Sequence, residues 1–231
     1  MKKIFIATAV ALSLSAAAQA AESTAVLKVA GVLTNDACTP ELDGGGVVDF
    51  GTKYINELSA TEVNQLGHKD LSFRISCTAP TRIGFVISDD RADSTASITI
   101  EHTSFTTPDE TAWTNSVRYG VGKTAGNVNI GAYSVALNRS AVIADGETQL
   151  VLRAQPGSQV DSEWHQWSDD KDLLMNNGTY EYSLGSATGP VAFTNAEFPL
   201  RIALAVQKTD ALAITDNTTL DGQATITLRY L

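Results

Sequence analysis

The stretch DGQATITLRYL, Asp221 to Leu231, alternates strictly in its last residues. In an extended chain Ala224, Ile226, Leu228 and Tyr230 project to one face, and Thr225, Thr227 and Arg229 to the other. That is the pattern of a half-buried strand. Final residues of a domain commonly fray into solvent, so a well-patterned strand in last place calls for a reason.

Further up the chain the same texture recurs. Apolar or alternating runs stand at Val26–Leu33, Val47–Phe50, Leu71–Ser76, Ile83–Ile87, Ser97–Glu101 and Val117–Val121, then at Ala132–Leu137, Gln149–Arg153, Tyr180–Leu184 and Leu200–Val206. Between them lie turn clusters such as DGGG at 43–46, SDDRADS at 88–94, ADGE at 144–147 and NNG at 176–178, rich in the residues that turns require. No long stripe of period 3.6 appears, and only Ile55–Gly67 has room for a helical turn or two. Many short strands with turn signals between them make an all-β sandwich. The polar stretch Gln155–Gly178 is expected to be a long loop or an insertion in it.

Residues 1–20, MKKIFIATAVALSLSAAAQA, place two lysines before a short uncharged run that ends on Ala18-Gln19-Ala20. This is the layout of a secretory signal peptide, and the run is too short and too rich in Ala and Ser for a membrane span. The expectation is export, leaving residues 21–231 as one sandwich domain with no membrane span. Loss of Lys2 and Lys3 takes the formal charge from −10 to −12. Such a surface repels phosphate backbones, and no basic cluster overrides it, which excludes nucleic-acid binding. The two cysteines, Cys38 and Cys77, both lie in the exported part. In an oxidising compartment they most simply form one disulfide. A free thiol pair or a metal site competes, but no histidine stands near either cysteine.

The spacing around these cysteines is specific. VAGVLTNDACTP sets Gly31 seven residues before Cys38, VVDFGTKYINEL gives an apolar strand, Gly51 and then Leu58, and LSFRISC runs an alternating strand into Cys77. With the closing alternation and penultimate Tyr230, the chain resembles the chaperone–usher pilins, the fimbrial subunits of Gram-negative bacteria, and within them a longer fimbrial-like secreted family. The resemblance covers about Leu27–Cys77 and Gly222–Leu231. It implies a pilin-type, immunoglobulin-like sandwich that is incomplete, with the last strand beside an open apolar groove. A periplasmic chaperone would fill that groove, and then, at the usher, the N-terminal extension of another fimbrial subunit, by strand addition. The implied interface is Gly222, Ala224, Ile226, Leu228 and Tyr230; the implied donor segment holds Ala25, Leu27 and Val29. Only eight residues, AESTAVLK, precede Val29 in the exported chain, which is short for a donor, so a minor or tip-associated subunit at the cell surface fits better than a shaft subunit.

Other candidate sites are weaker. Gly122-Lys123-Thr124 lacks the first glycine of a phosphate loop, since Val117 stands there; a turn is expected. In DSEWHQWSDD, Asp161–Asp170, Trp164 and Trp167 with Asp169 offer stacking faces and carboxylates to a carbohydrate receptor. The acids do not follow a calcium-loop pattern, and the tryptophans equally suit anchoring of a long loop. A self-contained exported module that binds a carbohydrate or host surface is therefore the alternative function. His68, His102 and His165 are scattered, and no nucleophile elbow or H-E-x-x-H occurs. The acidic pairs Asp89–Asp90 and Asp169–Asp170 read as turns. Neither an enzyme nor a cofactor is expected.

Overall fold

Alternating apolar residues become paired strands along much of the chain. They are seen in the computed structural model, which describes residues 28–31, 37–107, 109–159, 163–168, 171–186, 188–214 and 217–231. Met1–Thr34 forms one unit, of which only residues 28–31 are described; every element below belongs to the second unit, Asn35–Leu231. The signal-peptide expectation thus lies outside the described residues.

In chain order the strands are β1 (Cys38–Leu42), β2 (Asn64–Thr81), β3 (Ile83–Asp89), β4 (Tyr119–Gly120), β5 (Gly131–Leu137), β6 (Ile143–Ala144) and β7 (Glu147–Thr148). They continue with β8 (Leu150–Ala154), β9 (His165–Gln166), β10 (Glu181–Ser186), β11 (Gly189–Pro190), β12 (Phe193–Val206) and β13 (Ala224–Tyr230), and one helical turn, α1 (Thr209–Leu212), follows β12. Among the described residues they build two antiparallel sheets. The first runs β1-β2-β12-β5-β4, with the β6–β7 hairpin beside β12; the second runs β13-β3-β10-β8-β9, with β11 on β10. The all-β sandwich expected from the alternation is what forms.

An aromatic cluster joins the layers. Phe73 of β2 and Phe198 of β12 face Phe85 of β3 at centroid distances of 5.3 and 5.2 Å, both edge-on, and Phe85 lies 5.6 Å from Tyr182 of β10. Edge-to-face rings are favourable beyond their buried area, and all four are essentially inaccessible. The disulfide expectation is met: Cys38 and Cys77 are bonded, directly opposed across the β1–β2 ladder.

Several expected strands are corrected. Val47–Phe50 enters no ladder among the described residues. Ser97–Glu101 contributes only the bridge of Ile100 to Ala112. Its backbone is satisfied instead by side chains: Gln65 bonds Thr99 O and Glu101 N–H, and Arg118 donates to Ile98 O. Val117–Val121 shrinks to Tyr119–Gly120 after a 3₁₀ turn at Asn115–Val117. The helical turn sought in Ile55–Gly67 is a single 3₁₀ turn, Ile55–Glu57, because β2 already starts at Asn64. The expected turn falls just after Gly122-Lys123-Thr124: Lys123 bridges to Asn129, and the chain turns at Ala125–Gly126, closed by bonds between Thr124 and Val128 and between Asn127 and Thr124.

Candidate functional site

β13 lies at one edge of its sheet. Each residue from Ala224 to Tyr230 pairs with β3, from Asp89 to Ile83, and among the described residues no strand pairs its other side. Its inward residues are unfinished as core: Ala224, Ile226 and Leu228 are only half-buried. The row of free main-chain groups beside them is a template for another strand.

Beside this edge the two sheets part to leave a groove of about 940 Å³. Ala224, Ile226 and Ile87 form the β13–β3 wall, and Gly222 and Gln223 lead into it. The floor comes from the other sheet, with Leu200, Ile202 and Leu204 of β12, Val135 of β5 and Leu71 of β2. The unpaired segment Gly46–Lys53 lines the same groove; in it Val48 and Phe50 are half-buried, while Asp49 between them is exposed and Val47 before them is 75% exposed. The groove is thus bordered by β13 and by the segment Gly46–Lys53, neither of which has a ladder on its groove side among the described residues. Beyond Gly222 it meets a small satellite core of Val121, Ile130, Leu212 and neighbours. Tyr133 lines it without bringing charge, since burial pushes its phenol far above the usual range. At the other end the Tyr230 hydroxyl accepts a hydrogen bond from the Cys38 N–H at 2.9 Å.

Of the implied interface residues, Gly222, Ala224 and Ile226 line the groove, Leu228 packs on the main core beyond it, and Tyr230 lies past its end. In the implied donor segment Ala25 and Leu27 are outside the described residues, and Val29 is exposed. Sequence pattern alone did not single out the floor, because it is assembled from three strands far apart in the chain.

The tryptophan loop sits elsewhere and both rings anchor it. Trp167 is 3% exposed, 5.2 Å from Tyr182, with the Arg139 guanidinium 4.8 Å over its face. It therefore offers no open ring face to a sugar. Trp164 leans on the sheet, its edge within 3.3 Å of where a Cβ on Gly84 would stand. Asp169 is outside the described residues. The tryptophan that does face solvent is Trp113, 59% exposed.

A polar cluster ties the loop after residue 100 to the body. The buried Asp172 carboxylate accepts from Ser104 Oγ at 2.8 Å, Thr106 Oγ1 at 2.9 Å and Arg139 at 3.0 Å. Nearby Glu110 is also buried, and that burial pushes its carboxyl above the usual range, against the opposing pull of Ser104 and the Asp172 main chain. Neither acid lines the groove. Among the described residues no set of three ligating side chains converges on a metal position, and no helix is long and apolar enough to cross a membrane.

Residues 27–134 match a sequence family described as a protein of unknown function (DUF1120). Protein GltF of Escherichia coli (strain K12) is 30% identical over a 253-residue alignment that takes in all of this chain and 99% of GltF. The chain belongs to the DUF1120 family. A second relative, the uncharacterized protein YhcF of the same organism, is 28% identical over 99% of this chain and 98% of its own length. The match to both relatives runs through the groove-lining strands as well as the cysteine segment, since it covers 100% and 99% of this chain.

Proposed function

We propose that this DUF1120 protein is an exported, fimbrial-like structural subunit, minor or tip-associated, that accepts an extended apolar strand from a partner into its groove. The partner is first a periplasmic chaperone and then another subunit at the cell surface. The observation that carries the reading is the groove itself: an edge strand with half-buried alternate residues and a segment that enters no ladder among the described residues border one apolar cleft. A single added strand would bond to free main-chain groups while its alternate side chains fill the floor. An edge left open in this way is otherwise an aggregation site. The cysteine spacing and the closing alternation, which resemble those of pilins, support the same reading. Carbohydrate recognition through Trp164 and Trp167 has no comparable observation in its favour.

The test is periplasmic expression of residues 21–231 without a partner chaperone. The expected result is an aggregating or short-lived product that a synthetic peptide of residues 21–33 rescues into soluble, cooperatively folding protein. A stable monomer that ignores the peptide would sink the proposal.

A further inference from the structure

The groove does not follow β13 to its end. Ala224 and Ile226 line it, but Leu228 packs on the main core and Tyr230 is 57% exposed. There the Tyr230 hydroxyl and the Cys38 N–H join the edge strand of one sheet to the edge strand of the other. Both partners are firmly held. Cys38 is bonded to Cys77, and Ala37 before it exchanges two hydrogen bonds with Thr78, at 3.1 and 2.9 Å. Tyr230 is in register with Ile83, and the N–H of Leu231 donates to Arg82 O at 3.1 Å. The bond thus spans from one sheet edge to the other at the Tyr230 end of β13.

We infer that the Tyr230–Cys38 hydrogen bond is a stop that fixes how far an incoming strand runs along β13. The strand is recognised beside Ala224 and Ile226 and ends short of Tyr230. Tyr230 is then a positioning residue, acting through Cys38, and its hydroxyl sets the register in which alternate side chains meet the floor. A register error of one residue would turn every apolar side chain of the added strand out of the groove, so a fixed end has a use. This inference rests on the groove reading proposed above.

The experiment measures peptide affinity by fluorescence anisotropy with the full chain and its Tyr230→Phe variant. The probes are the peptide of residues 21–33 and two versions, residues 25–33 and 21–29, each shortened by four at one end. With the unaltered protein, one of the two shortenings should leave affinity within about twofold, because the stop already excludes those residues. In Tyr230→Phe the same shortening should weaken binding roughly 2–10-fold, the scale of one net hydrogen bond. Tyr230→Leu, which removes ring and hydroxyl together, should shift the comparison in the same direction. Faster amide exchange at Cys38 in both variants, with the rest of the fold protected, would confirm that only this bond was lost. Identical shortening profiles in all three proteins would overturn the stop and leave the groove reading standing. No peptide binding to any of them would overturn both.

Discussion

Replacing Asp172 by Asn removes one charge from the buried cluster and almost no volume. The carboxylate is 2% exposed and its partner Arg139 is 19% exposed, so neither charge is well hydrated once alone. Stranding one member of a buried pair costs about 3–5 kcal/mol. Arg139 keeps its bond to Trp167 O and its place over the indole, which puts the expected loss near the lower end, about 3 kcal/mol. For a chain of this size that is a fall in melting temperature of roughly 6–12 °C. Urea unfolding of Asp172→Asn, Arg139→Met and the double variant measures it. The double variant should be less destabilised than the sum of the singles by about 2 kcal/mol, since removing both charges strands neither. A loss below about 1 kcal/mol in Asp172→Asn, or strict additivity, would show that the pair is screened despite its burial.

Glu110 supplies a pH test. Its carboxyl lies above the ordinary 4.5 in the folded chain because of burial, so over a window above that value the native state holds a proton that the unfolded chain has lost. Stability therefore falls as pH rises through the window. Glu110→Gln should be more stable than the unaltered protein at neutral pH, with the gap closing below the ordinary glutamate value; a gap independent of pH in urea unfolding would refute this. Ile226→Asp should abolish binding of the 21–33 peptide, because the groove would then have to bury an unpaired carboxylate. Its effect on unfolding should be small, as Ile226 is half-exposed; unchanged peptide affinity would count against the groove. Cys38→Ser with Cys77→Ser releases a cross-link spanning 39 positions and should cost about 4 kcal/mol on chain entropy. Exchange at the Cys38–Leu42 amides should accelerate most, because among the described residues β1 pairs only with β2, and persistent protection there would show that the ladder holds unaided.

Where one face of a strand is buried, the sequence was legible. Ala224–Tyr230 forms a strand, because a period of two leaves one register open; Ile83–Ile87, buried at all five positions, reads as a strand from its short apolar run instead. The first half of β2 was not legible: NQLGHKD carries no alternation and is held by the partner ladder. Two residues, Leu66 and Gly67, meet one across from them there, with Gly67 at φ +82°, a bulge that depends on the neighbour's register. β1, CTPEL, holds a proline that only an edge strand tolerates, and its place follows from the Cys38–Cys77 bond. Val47–Phe50 has the composition of a strand, yet among the described residues no neighbour pairs with it. In the groove, the β13 wall was written in the final residues, whereas Leu71, Val135 and Ile202 come together only through the sheet order.

The pairing of β3 also has a consequence in time. Phe85 meets Tyr182, and Ile87 meets Ile226, so the centre of one sheet waits for segments made about a hundred and about 140 residues later. At synthesis rates of roughly 5–20 residues per second, the wait for the last strand is about 7–28 s. Throughout it, Ile83–Ile87, buried in the finished fold, presents a bare and strongly apolar edge. Chaperone demand for this chain would therefore begin well before the groove exists, and slowing translation of the last third should raise it further.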